Sequence, residues 1–125
     1  MEEVIKHYDK LIEENNDPVF DPPALKEYMD GWDGKSFIDE MKLDKSKSVL
    51  EIGCGTGRLA MRVCPLVGSF TGIDISPKTV ERAKHNLQLF SPTIILGNFL
   101  QYDFSTLNYQ LKAIILPNIF YKVQF

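Results

Sequence analysis

Three glycines spaced two apart, Gly53, Gly55 and Gly57, follow directly on a short apolar run, Ser48-Val49-Leu50-Glu51-Ile52. A strand that runs straight into such a turn lets a ligand approach the backbone closely, because glycine has no side chain and tolerates positive φ. A helix expected from Arg58 onward would add free N–H groups and a partial positive charge beside the loop, suited to a carboxylate or a phosphate. Asp74 stands 21 residues after Gly53, at the end of a second apolar run, Phe70-Thr71-Gly72-Ile73-Asp74. From that place an acidic side chain can accept both hydroxyls of a ribose. The chemistry on offer is the binding of a nucleoside-containing ligand. A dinucleotide fingerprint would read G-x-G-x-x-G, but Arg58 stands where its last glycine belongs. That spacing disfavours a nicotinamide dehydrogenase.

The elements that must position these residues follow from periodicity and punctuation. Val4, Ile5, Tyr8, Leu11 and Ile12 fall at helical spacing, so residues 2–15 are expected to form an amphipathic helix, ended by Asn15-Asn16-Asp17-Pro18. Asp21-Pro22-Pro23 marks a second helix start, with a short helix through Leu25, Tyr28 and Met29. Gly31 and Gly34 bracket Trp32-Asp33, and a third helix carries Phe37, Ile38 and Met41. After the glycine loop a helix is expected through Arg58, Leu59, Ala60, Met61 and Val63, ended by Gly68. Ser76-Pro77 reads as an N-cap with proline at the first helical position, and Val80, Ala83 and Leu87 form that helix's inner face. Ser91-Pro92 precedes a third strand, Thr93-Ile94-Ile95-Leu96, and Ala113-Ile114-Ile115-Leu116 is a fourth.

Near-continuous apolar strands that alternate with helices imply an α/β fold: a parallel sheet with helices on both faces. Right-handed crossovers give the order 3-2-1-4, with a switch point between strands one and four where a ligand binds. One domain is expected over residues 1–125, with a helical N-terminal segment at 1–44 and a Rossmann-like core at 45–125.

The composition fits that picture. With 125 residues the chain buries about two-thirds of its unfolded surface, so it needs no disulfide or metal to fold. Lys plus Arg number 14 and Asp plus Glu 17, a net charge of −3, which argues against a surface built to track nucleic-acid phosphates. No apolar run approaches the ~20 residues that span a bilayer, and Met1-Glu2-Glu3-Val4-Ile5-Lys6 is no secretory leader. The expectation is a cytoplasmic protein that binds neither nucleic acid nor membrane and holds no metal. Cys54 and Cys64 are read as reduced thiols, with Cys54 a small space-filler between glycines.

The run Val49-Leu50-Glu51-Ile52-Gly53-Cys54-Gly55-Thr56-Gly57 resembles motif I of the class I S-adenosyl-L-methionine (SAM) dependent methyltransferases. Gly72-Ile73-Asp74-Ile75-Ser76 resembles their acidic post-I motif, and the likeness continues to Leu96-Gly97-Asn98-Phe99, covering roughly residues 45–104. The resemblance implies that Glu51 and the backbone of Gly53, Cys54, Gly55 and Gly57 face the amino-acid end of SAM. It implies that Asp74 binds the ribose, that Ile75 packs on the adenine, that Asn98 reaches the adenine amino group and that Phe99 lies beside the ring. An Asn serves there because its carbonyl oxygen accepts from an exocyclic amine. Blander readings stand beside these: Asn98 as a turn-former, Phe99 as core, Asp103 as a loop or capping residue, His7 and His85 as solvated. Tyr8, Tyr28 and Trp32 are read as packing on the sheet, with a lid over the cofactor as the other reading.

The resemblance further implies methyl transfer to an acceptor, read as a small molecule, with S-adenosyl-L-homocysteine as product. No catalytic residue is named. The sequence departs from the family near its end. Leu111-Lys112 stands where the family usually starts strand four with an aromatic-Asp pair, Asn118 belongs to no N-P-P-Y motif, and the tail from Pro117 to Phe125 matches no motif. These 125 residues are therefore expected to be a C-terminally truncated form of the fold that binds SAM with little turnover of its own. The rival is a non-catalytic SAM-binding module. The free edge of the fourth strand invites pairing with a second copy as a homodimer.

Overall fold

A computed structural model of the chain describes residues 1–106 and 113–115. The helices are α1 (Glu2–Glu13), α2 (Pro23–Asp33), α3 (Lys35–Glu40), α4 (Ala60–Val63) and α5 (Pro77–Asn86). The strands are β1 (Ser48–Ile52), β2 (Ser69–Asp74), β3 (Thr93–Leu96) and β4 (Ala113–Ile115). All strand pairs are parallel, in the order β3-β2-β1-β4. Glu51 stands level with Gly72 on β2 and Ile115 on β4, and Asp74 level with Leu96 on β3. The carboxyl ends of β1 and β2 therefore open side by side, and the glycine loop leaves from the first of them.

Alternation along β1 sends Val49 and Glu51 to one face and Leu50 to the other. On the first face Val49 joins a cluster with Ile38 of α3, Leu59, Ala60 and Val63 around α4, Phe70, Val80 and Ala83 of α5, Leu87 and Ile94. Leu50 and Ile73, 2% and 1% exposed, are buried outside that cluster. The expectation of helices on both faces falls partly on residues 107–112 and 116–125, which lie outside the described residues, as do Leu111, Lys112, Leu116 and the tail from Pro117.

Several elements form where local chemistry placed them. Ser76 caps α5, its Oγ accepting from the Thr79 N–H at 3.2 Å, with proline in the first turn. Asp103 caps the 3-10 turn at Phe104–Thr106 by accepting from the Ser105 N–H at 2.9 Å. Two expectations are corrected. Gly31 does not interrupt its helix, for α2 runs on to Asp33; an interior glycine costs only ~1 kcal/mol. That cost is offset here by Asp30 and Asp33, which dock on Arg62 and Arg58 from this helix. The helix after the glycine loop is one turn, not a run from Arg58, because Pro65 diverts the chain into a 3-10 turn at Cys64–Leu66. So short a helix has little dipole to offer a ligand.

The N-terminal segment does not lie on the sheet as a hydrophobic slab. Helix α1 has no buried residue, and Tyr28 and Trp32 are 64% and 66% exposed, against the expectation that they pack on the sheet. Ile38 of α3 reaches the core; what ties α1 and α2 down is charge. Asp9 accepts from Ser76 Oγ at 2.6 Å and from the Lys78 N–H at 3.1 Å, and Glu13 pairs with Lys78. Asp30 pairs with Arg62 at 2.6 Å, and Asp33 takes a bidentate pair from Arg58. Each of these tethers places a carboxylate on the N-terminal segment and its donor on the core. Among the described residues no helix is long and apolar enough to cross a membrane.

Candidate functional site

The glycine loop turns with positive φ at each glycine: 71° at Gly53, 57° at Gly55 and 97° at Gly57. At Gly57 a side chain is also barred sterically, since a β-carbon would stand 2.9 Å from Leu87. At Gly55 a β-carbon would meet nothing within 4 Å, so the space over the loop is open to a ligand. The Gly55 N–H donates to Asp74 Oδ2 at 2.9 Å, and the Ser76 N–H donates to Asp74 Oδ1 at 3.2 Å. A carboxylate offers about four lone-pair sites, so each oxygen of Asp74 keeps one for a hydroxyl donor. Gly53 and Cys54 both donate from the backbone to the Ile73 carbonyl, at 2.9 and 3.2 Å. The loop is thus fastened to β2.

Above the loop lies a cavity of ≈ 220 Å³. Its floor is Glu51, Gly53, Cys54, Gly55, Thr56 and Arg58. Its roof is the N-terminal segment, through Tyr8, Leu11, Ile12, Asn16 and Pro18. Of the three aromatic residues Tyr8, Tyr28 and Trp32, Tyr8 lines this cavity.

Glu51 is 1% exposed, and its Oε2 has no hydrogen-bond partner among the described residues. Burial pushes its carboxyl well above the usual range; the Arg58 guanidinium opposes that, and the Asp33 and Asp74 carboxylates add to it. An unsatisfied buried oxygen on a residue that lines a cavity is an attachment point for a donor, and best for a cationic one. Cys54 is buried, and its Sγ lies 2.8 Å from where a β-carbon on Gly72 would stand. Burial, with Glu51 and Asp74 nearby, drives its thiol up, so it is an inert space-filler. Among the described residues no cluster of ligating side chains could hold a metal ion.

The sequence-predicted residues divide into two groups. Glu51, Gly53, Cys54 and Gly55 come together in the cavity, with Asp74 bonded to the loop. Gly57, Ile75, Asn98 and Phe99 do not line it, Gly57 packing instead against Leu87. Ile75 is half-buried beside Asp74, and Asn98 Oδ1 accepts from the Leu100 N–H at 3.0 Å as a turn-former does. Phe99 is 38% exposed, its ring 5.5 Å from that of Phe104.

The structure adds residues that sequence reasoning missed. Asp17, expected only to end a helix, is 5% exposed and accepts from Thr56 Oγ1 at 2.6 Å, Asn86 Nδ2 at 3.0 Å, Arg82 at 3.3 Å and the Val19 N–H at 3.0 Å. Burial raises its carboxyl, but the bonds from Thr56, Asn86, Val19 and Arg82 together outweigh that and hold it below the usual range. Its local signal was only the Asp-Pro turn, since Thr56 is 39 residues away.

Comparison with known proteins places this geometry. A profile of the family described as Methyltransferase domain matches residues 49–121. The ribosomal protein L11 methyltransferase of Paraburkholderia phymatum is 47% identical over 60 residues, covering 46% of this chain and 20% of that protein. The mitochondrial ubiquinone biosynthesis O-methyltransferase of Candida albicans is 36% identical over 89 residues, covering 63% of this chain and 27% of that protein. Magnesium protoporphyrin IX methyltransferase from Synechocystis, solved with bound SAM, superposes with a TM-score of 0.60 over 80% of this chain and 55% of that one; at 16% identity this is a likeness of fold. The chain thus spans well under a third of either sequence relative. With a glycine loop on β1, an acidic residue ending β2 and a family match that begins at the first of these strands, the chain belongs to the methyltransferase domain family.

Proposed function

We propose that the cavity between the glycine loop and the N-terminal segment holds the amino-acid end of SAM, and that the methyl group goes to a small-molecule acceptor. The observation that carries this reading is the unpartnered Oε2 of Glu51, buried at the floor of a cavity whose loop has open space above Gly55. An α-ammonium donates to such an oxygen. The backbone of Gly53, Cys54 and Gly55 lets the ligand lie close, Gly57 gives the turn behind them its positive φ, Asp74 takes the ribose hydroxyls with its remaining lone pairs, and Ile75 packs against the base. Asn98 and Phe99 then mark the adenine end, beyond the cavity. Residues 1–44 act as the lid and 45–125 as the core of one domain.

Bound SAM supplies a methyl group on a sulfonium, and its transfer needs in-line alignment more than acid–base help. The described residues therefore bind, orient and exclude water. Tyr8, Leu11, Ile12 and Pro18 cover the cavity with largely apolar surface, which strengthens polar contacts beneath them. A small acceptor is supported by a net charge of −3, which offers no overall attraction to nucleic-acid phosphates. The outer edge of β4 is the place where a second copy would pair.

Parallel calorimetric titrations with SAM, S-adenosylhomocysteine and NAD test the reading. Binding of the first two, absence of the third, and a rise in melting temperature are expected. A hundredfold excess of ligand over Kd stabilises by ~2.7 kcal/mol. Absence of any heat or thermal shift with millimolar S-adenosylhomocysteine refutes the assignment.

A further inference from the structure

We infer that Asp17 is a positioning residue for the glycine loop: through Thr56 it fixes the loop against the lid, so that retention of the cofactor depends on it. This rests on reading the cavity as the SAM site. Three parts of the chain converge on this one carboxylate. Val19 of the turn at Pro18–Phe20 donates to Oδ1, as does Thr56 Oγ1 of the loop, while Asn86 and Arg82 of α5 donate to Oδ2. Asn86 closes the ring, its Nδ2 donating also to the Thr56 carbonyl at 3.0 Å. An amide nitrogen carries two donors, so both bonds are made at once.

The placement is specific to the site. Thr56 lies between the positive-φ residues Gly55 and Gly57, neither of which has a side chain to hold the loop. Asp74 holds the loop at the Gly55 N–H, and Asp17 holds it one residue further on. The neighbours of Asp17 on either side, Asn16 and Pro18, line the roof, and Thr56 lines the floor. One buried group thus joins the two walls of the cavity. Packing alone would not need it. Burying a carboxylate is costly unless it is fully paired, and an apolar side chain would anchor the segment more cheaply. Freed from Asp17, the loop gains alternative conformations and the roof loses its fixed height, so the ligand leaves sooner.

The experiment uses the full chain and S-adenosylhomocysteine. Asp17→Asn, Thr56→Val and the double variant are compared with Ile38→Ala, a core substitution whose residue lines no part of the cavity. Affinity and dissociation rate are read well below each melting temperature, and hydrogen exchange of the amides at 53–57 is read without ligand. Asp17→Asn is expected to bind about tenfold more weakly, mostly through faster dissociation, with faster exchange in the loop. Thr56→Val should match it, and the double variant should be no weaker than the worse single. Ile38→Ala should keep the wild-type affinity. Wild-type affinity and loop exchange in Asp17→Asn would overturn the inference while leaving the SAM reading intact, and equal weakening in Ile38→Ala would do the same. A wild-type chain that binds no S-adenosylhomocysteine would overturn both. Should Asp17→Asn not fold, Thr56→Val decides alone on the same readouts.

Discussion

Between Val49 and Ile94 the buried side chains are mostly apolar, with Leu50, Leu59, Ile73 and Leu87 fully enclosed. Between Met1 and Glu40 the buried ones are Asp17, Asp33 and Ile38. The sheet region is held by area removed from water, which is large and is neither screened by ions nor titrated. The N-terminal segment is held by directional bonds from its carboxylates to the loop, α4 and α5. Such bonds are smaller, and they respond to conditions. As the proposed lid, the N-terminal segment suits the second kind of attachment, and a sheet that must stay in register suits the first.

The contrast can be broken at its strongest point by Leu59→Ala. The residue is 2% exposed, and such truncations cost roughly 2–5 kcal/mol; urea unfolding should show a loss of that size. A smaller effect is expected from Asp33→Ala, which strands the Arg58 guanidinium beside Glu51 with its partner removed. The pair is partly exposed, at 22% and 12%, so the full penalty of a broken buried pair is discounted to about 1–3 kcal/mol. If Asp33→Ala proved as costly as Leu59→Ala, the segment would be part of the core.

Two buried carboxylates, one in each region, sharpen the comparison by pH. Asp17 has its pKa held below the ordinary 3.8. The unfolded chain then binds more protons, so the contribution of Asp17 is complete above 3.8 and is lost as pH falls through the folded value. Glu51 has the opposite sign, raised above the ordinary 4.5 by burial. Its folded state binds more protons, so it costs stability as pH rises from 4.5 through the folded value. Thermal melts across pH should flatten below 3.8 in Asp17→Asn and above 4.5 in Glu51→Gln, each relative to wild type. Identical slopes in wild type and variant would remove that residue from the account.

Asp74→Ala tests the cofactor contact with little effect on the core. Charge-assisted bonds are worth roughly 1.5–3 kcal/mol each, so S-adenosylhomocysteine should bind at least tenfold more weakly while the fold persists. Smallest of all should be Glu13→Ala. Its pair with Lys78 is exposed on both sides, and the melting temperature should not move measurably, with or without salt.

Much of the frame was legible because it is local. The runs Ser48–Ile52 and Thr93–Leu96 became strands with the expected bounds, since a short, mostly apolar and β-branched stretch between turn residues has few other uses. Ser76 capped its helix because cap and proline act within one turn. The glycine loop and Asp74 were visible for the same reason: each is a residue type demanded at one place by backbone geometry or by a charge at a strand end. The length of α4 was misjudged because the pattern of apolar residues continued while Pro65 redirected the backbone.

Sequence by itself determined the order of elements, the loop and the residue types that give the site its chemistry, because these depend on neighbours a few positions apart. Tertiary structure alone decided how the cavity closes. Asp17 meets Thr56 across 39 positions and Arg82 across 65, and Asp33 meets Arg58 across 25. No local rule distinguishes a carboxylate that stays in water from one that a folded sheet surrounds with four donors. That choice is made only when the sheet has brought α5 and the glycine loop to one side and left a single place for the N-terminal segment to lie.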